Sequence, residues 1–170
     1  MTSSPLSRRT VLTTGAVALG AAVAGCFEDA DPAGADAPGS DPDGPLTVAS
    51  ATQYQGPACA CCNEYTPYLE THLDGEVTVE VTDDLLEQKA ALGVPRELRS
   101  CHTVVIDGSV FEGHLPVEPI ADFLADDTDW LGIALPGMPA GSPGMGGEKS
   151  EPWTIFAFDE AGEFAEYVEL

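Results

Sequence analysis

Leu46-Thr47-Val48-Ala49-Ser50-Ala51, then Cys59-Ala60-Cys61-Cys62, then Tyr65, Tyr68, Leu69 and His72 or Leu73 at helical spacing, form the stretch that decides the fold class. The first segment reads as a short strand, Gln55-Gly56-Pro57 as a turn, and the third segment as a helix that Asp74-Gly75 stops. Working outward, Glu76-Val77-Thr78-Val79-Glu80-Val81 alternates with period two and predicts a strand. Thr82-Asp83 caps a second helix through about Leu92, which Gly93 and Pro95 end. Thr103–Ile106 and Ser109–Glu112 flank Asp107-Gly108, a hairpin signal, and Pro116 to Leu124 reads as a helix with Pro116 near its first turn. Leu131 to Ser150, rich in Gly, Pro and Met, is too long for an ordinary connection and reads as a functional or loose loop. Trp153–Phe158 and Phe164–Val168 predict a closing hairpin.

The order β-α-β-α-β-β-α resembles the thioredoxin fold. The expected class is therefore α/β and thioredoxin-like: a central mixed β-sheet with flanking helices, plus a Gly/Pro/Met-rich loop and a C-terminal hairpin. That fold places a C-x-x-C pair at a helix N-terminus, and here Cys59-Ala60-Cys61-Cys62 stands there. The helix dipole at that place is expected to favour thiolate over thiol. The fold also sets a cis-Pro before the central hairpin. This chain has Cys101-His102-Thr103 instead, so a thiol and an imidazole face the other cysteines.

Three of these four thiols fall within four residues and the fourth adjoins a histidine. Cys59 and Cys62 can form a redox disulfide, and Cys61 is then surplus to oxidoreductase chemistry. Thiolate-rich sites with His or Met nearby suit Cu(I) or Zn(II). Met138 and Met145 lie in the glycine-rich loop, where a thioether would select copper over zinc and a packing role is the alternative. The candidate metal ligands are Cys59, Cys61, Cys62, Cys101, His102, Met138 and Met145. His114 is expected to be exposed or structural, and His72 to lie on the surface. Two other readings stay open: a thiol-disulfide oxidoreductase with Cys59 as nucleophile and Cys62 resolving, and a domain braced by two structural disulfides. No Ser elbow, H-E-x-x-H or phosphate-cradling glycine loop with lysine appears, which disfavours a hydrolase.

The chain has 170 residues and carries 29 Asp+Glu against 6 Lys+Arg, a net charge of −23, which argues against nucleic-acid binding. Such an acid surplus is the pattern of proteins from salt-loving, halophilic organisms, where cations screen the repulsion. No acid precedes residue 26, whereas Arg8 and Arg9 open an uncharged run from Val11 to Gly25. This leader resembles a Tat export signal, and Val23-Ala24-Gly25-Cys26 resembles a lipobox. Residues 1–25 are thus expected to be a lipoprotein signal and Cys26 the lipid attachment point. Residues 26–45, almost all Asp, Ala, Gly and Pro, are expected to form a disordered acidic tether, and 46–170 the folded domain. The expected location is the extracytoplasmic face of the cell membrane.

Cys59-Ala60-Cys61-Cys62, Gly93-Val94-Pro95 with Glu97-Leu98, Ser100-Cys101-His102-Thr103 and Asp107-Gly108 are joined by Glu112-Gly113-His114-Leu115-Pro116. Further on stand Gly132 to Pro139 and Gly141-Ser142-Pro143-Gly144-Met145. Together these resemble the DUF411 family over about residues 46 to 168. The resemblance implies a small exported metal-binding protein associated with copper tolerance, and raises copper above zinc. It leaves open sequestration, sensing, or exchange with a copper-donor or acceptor protein. The family's first motif usually reads Cys-Gly-Cys-Cys; Ala60 here leaves every thiol in place.

Overall fold

A computed structural model describes residues 44–170. The segment expected to be an export leader, Cys26 and nearly all of the expected tether lie outside the described residues. The elements run β1 Ala51–Gln55, α1 Ala60–His72, β2 Val77–Val81, α2 Leu85–Ala91, a 3-10 turn Arg96–Leu98, β3 His102–Ile106, β4 Ser109–Gly113, α3 Val117–Ala125, β5 Gly132–Leu135, β6 Thr154–Phe158 and β7 Phe164–Glu169. The architecture is mixed α/β. One seven-stranded sheet has the order β2-β1-β3-β4-β5-β6-β7. β1 runs parallel to β2 and β4 to β5, and the other pairs are antiparallel.

The period-two alternation of the strands sorts the helices onto two faces. Val104, Ile106, Phe111, Ile133, Leu135, Ile155 and Ala157 share one core with Tyr65 and Leu69 of α1 and Ile120 and Phe123 of α3. The residues between them, Val110, Ala134 and Phe158, pack with Val94 and Leu98 around the 3-10 turn that follows α2. No helix among the described residues is long and apolar enough to cross a membrane.

Two expectations need correction. β1 is not Leu46–Ala51 but begins at Ala51, because the N–H groups of Ala49 and Ser50 donate to the Asp107 carboxylate, at 3.0 and 2.9 Å, instead of to a ladder. Its inward positions, Ala51, Gln53 and Gln55, are buried, so the alternation was masked by glutamine. The Gln53 amide is held by Gln55 Oε1 at 2.6 Å, the Cys62 carbonyl at 3.1 Å and Thr66 Oγ1 at 3.0 Å. Second, the stretch read as one long loop opens with β5, four buried residues that add to β4 in parallel. A continuous apolar run of four carries no period by which to recognise a strand. The closing hairpin is present as β6 and β7.

At Asp107-Gly108 the backbone is left-handed, with φ of 50° and 94°, as a tight primed hairpin turn requires. Register brings the C-terminal end of β1, the start of β3 and the ends of β4 and β5 to a single edge of the sheet: Gln55 pairs with His102, Thr103 with Glu112, and Gly113 with Leu135. α1 starts at that edge, and the glycine-rich segment leaves β5 from it.

Candidate metal centre

Cys59 caps the N-terminus of α1, so Cys59, Cys61 and Cys62 fall on its first turn. Cys101 stands just before β3 on the facing segment. The four sulfurs lie within 4.8 Å of one another. Cys59 and Cys62 are joined as a disulfide with Cα atoms 5.3 Å apart, and Cys61 and Cys101 are free thiols. Cys61 Sγ is 3.6 Å from Cys59 Sγ and 3.6 Å from Cys101 Sγ.

Imidazoles complete the group. His102 Nδ1 lies 3.3 Å and His114 Nε2 3.0 Å from Cys101 Sγ. Cys101, His102 and His114 form a second potential ligand set sharing the same thiol. His114, expected to be exposed or structural, is fully buried, which rules out the exposed reading, and its ring stands at the site. The fold turns it inward because Gly113 adopts a φ of 85°; a Cβ there would stand 2.5 Å from the Leu135 carbonyl and 3.1 Å from Ser100 Cβ. Alternation along β4 cannot reveal such a reversal. His114 Nδ1 lies 2.7 Å from the Pro143 carbonyl, which can only accept, so Nδ1 carries the proton and the Nε2 lone pair faces the thiol.

The glycine-rich loop therefore reaches the site through Pro143. Met138 stands 41% exposed with a left-handed backbone, and Met145 is half-buried, its N–H donating to the Ser142 carbonyl at 2.8 Å. His72 is half-buried, with Nδ1 2.7 Å from the Tyr68 carbonyl. Tyr65, from α1, packs its ring 4.6 Å from His102 and 5.3 Å from His114, and donates its hydroxyl to the Leu115 carbonyl at 2.7 Å.

Behind the thiols lies a buried ion pair that spacing does not reveal. Lys89 Nζ of α2 sits 2.6 Å from Glu112 Oε1 of β4, with side chains 1% and 0% exposed. Lys89 also donates to Thr103 Oγ1 at 2.9 Å. Glu112 accepts from the Ser100 N–H through one oxygen and from the Thr103 hydroxyl through the other. Only the pairing of β3 with β4 and the crossing of α2 unite these residues, which are far apart in sequence.

Electrostatics follow burial. Burial, and then the neighbouring Cys61, push the Cys101 thiol up to about 12. The expectation that the site supplies thiolate at neutral pH therefore needs correction for Cys101, which lies off the helix in a shielded position. Burial lowers His102 well below the usual imidazole range, with His114 and Lys89 adding to the effect and the Gly113 backbone partly opposing it. Burial lowers His114 as well, and its bond to Pro143 partly offsets this. Both rings are thus neutral near pH 7 and present lone pairs. Thiols and neutral imidazoles are the donor set of a soft or borderline metal ion.

A family model described as "Protein of unknown function, DUF411" matches residues 98–145. A solved structure titled copper resistance protein CopG, form 2, is 35% identical, covers 71% of this chain and 97% of its own, and superposes with a TM-score of 0.65. Form 1 of the same protein is 34% identical over 72% of this chain and 98% of its own, also with a TM-score of 0.65. Among curated proteins none matches.

Proposed function

The chain belongs to the DUF411 family, and from that premise we propose that it is an extracytoplasmic, membrane-anchored Cu(I)-binding protein that works in copper tolerance. The observation that carries this reading is the gathering of Cys59, Cys61, Cys62 and Cys101 within 4.8 Å, with two neutral imidazoles on the fourth thiol. The two free thiols, four once the Cys59–Cys62 bridge is reduced, match the preference of Cu(I), and the likeness to a copper resistance protein supports copper over zinc. The copper is cargo. We read the scaffold as thioredoxin-like, on the element order through α3 and the placement of Cys59 at the N-terminus of α1. Attachment through a lipidated Cys26, and a protein that donates or accepts copper, complete the proposal.

The Cys59–Cys62 bridge sets the capacity of the site. While it is closed, Cys61 and Cys101 with His102 and His114 remain; its reduction by an external dithiol, taking up two electrons and two protons, adds two thiols. The same bridge favours a second reading, thiol-disulfide exchange with Cys59 as nucleophile. Cys61→Ser separates the two. For copper binding, the variant should lose affinity markedly in competition with a Cu(I) chelator while any insulin reduction through Cys59 and Cys62 persists. Unchanged copper affinity together with abolished reductase activity would overturn the ranking. Metal analysis of anaerobically purified protein, beside a free-thiol count, gives the stoichiometry.

A further inference from the structure

Cys101 is the only thiol of the group that lies off α1, so the spacing of the site depends on what holds the Ser100–Thr103 segment. That segment is gripped from behind. One oxygen of Glu112 takes the Ser100 N–H, on the residue before Cys101, and the other takes the hydroxyl of Thr103, two residues after it. Thr103 and Glu112 are direct partners in the β3–β4 register, so the second tie crosses a single strand spacing. Lys89 bonds to both Glu112 and Thr103 and neutralises the carboxylate.

Stability does not account for this arrangement. Removing two charges from water is costly, and well-packed apolar residues of similar volume often do as well or better. What an apolar pair cannot supply is two directed acceptors bracketing one cysteine. We propose that Glu112, oriented by Lys89, is a positioning residue that fixes Cys101 Sγ against Cys61 and His114. The proposal rests on the copper reading for its purpose, but its geometry can be tested without metal.

The test uses the full chain carrying Cys26→Ser, with the Cys59–Cys62 bridge closed, so that Cys61 and Cys101 are the remaining thiols. Cross-linking of these two by dibromobimane, taken as a ratio to their labelling by monobromobimane so that thiol reactivity cancels, reports their spacing in metal-free protein, and competition with a Cu(I) chelator reports affinity in reduced protein. The apolar pair Lys89→Met with Glu112→Leu leaves the Ser100 N–H and the Thr103 hydroxyl without their acceptor, so it should fold with a lowered thermal midpoint, cross-link at least about fivefold more slowly and bind copper at least about tenfold more weakly, as loss of an outer support does. Lys89→Gln with Glu112→Gln removes the charges and keeps one acceptor for the Ser100 N–H, but the amide nitrogen that replaces the second oxygen can only donate towards Thr103, so both readouts should fall between wild type and the apolar pair. Wild-type cross-linking in the folded apolar pair would overturn the proposal. If that pair fails to fold, the isosteric Thr103→Val severs one tie and should slow cross-linking severalfold; an unchanged rate overturns the proposal equally. Slowed cross-linking in a protein whose wild type binds no copper would sink the copper reading and leave the positioning role intact.

Discussion

Cys101 is the residue on which the chemistry converges, since its sulfur lies within 3.6 Å of Cys61 Sγ, His102 Nδ1 and His114 Nε2. Raised to about 12, it is a thiol at neutral pH, and a metal must displace its proton. Copper affinity should therefore climb with pH, by about tenfold per unit for each proton displaced, and Cys101→Ser should lower that slope by one proton. Chelator competition at three pH values between 6 and 8 measures it; equal slopes in both proteins would contradict the shift. The histidines act oppositely on the metal-free fold. Because the folded-state basicity of His102 and His114 is depressed, their contribution to stability is present above the unfolded value near 6.5 and is lost as pH falls through the lower folded values. His102→Leu should flatten the fall in thermal midpoint between pH 7 and pH 5. The cysteine cluster was legible because three of its members are neighbours in the chain and the fourth precedes a hairpin signal. His114 was not, because one glycine with positive φ reverses its direction. Lys89 and Glu112 were not, because a charged residue inside an amphipathic pattern reads as solvated until its partner is known.

At the scale of the element, the glycine-rich segment after β5 acts as a strap across the start of α1. Gly144 has a φ of 73°, and a Cβ there would stand 2.8 Å from the Tyr65 backbone nitrogen, so only glycine lets the strap lie this close. The adjacent Pro143 carbonyl holds His114. Gly144→Ala should lift the strap, destabilise the domain by about 2 kcal/mol and free the His114 ring. Chemical denaturation and the nitrogen chemical shifts of that ring check both parts, and a wild-type tautomer in the variant would show that the strap does not orient it. A thioether role for Met138 and Met145 is a separate proposal. Replacing both by Leu conserves volume, so packing alone predicts a cost below about 1.5 kcal/mol and no change in copper affinity, whereas ligation predicts a fall of about tenfold. Identical affinities and copper-release rates would remove both residues from the site. Element order through α3 was readable because each segment has its own period and its own punctuation. β1 was misplaced because glutamines occupy its inward face, and β5 was absorbed into a loop because its partner lies across an intervening helix.

For the whole molecule, charge is the dominant feature. With 29 acids and 6 bases in the chain, and Lys89 committed to Glu112, few cations are left to offset carboxylates on the surface. Among the described residues the Lys89–Glu112 pair is the one salt bridge, and it is buried. Folding therefore concentrates like charges without local compensation, and the compact state is opposed by self-repulsion that mobile ions relieve. Screening shortens from about 10 Å at 0.1 M salt to about 3 Å at 1 M, less than the spacing of most surface carboxylates. The thermal midpoint should accordingly rise on the order of 10 °C between 0.1 and 2 M potassium chloride, with most of the gain below 1 M. Glu76 and Glu80 lie on and beside the edge strand β2, whose residues are largely exposed, so charge reversal there leaves the core and the thiols untouched. Glu76→Lys with Glu80→Lys should raise the midpoint at low salt and shrink the salt-dependent gain. If screening is the cause, the two curves converge at high salt. Parallel curves, offset by the same amount at every concentration, would mean that salt acts through hydration of the apolar core and not through the charges, and the acidity would then need another explanation.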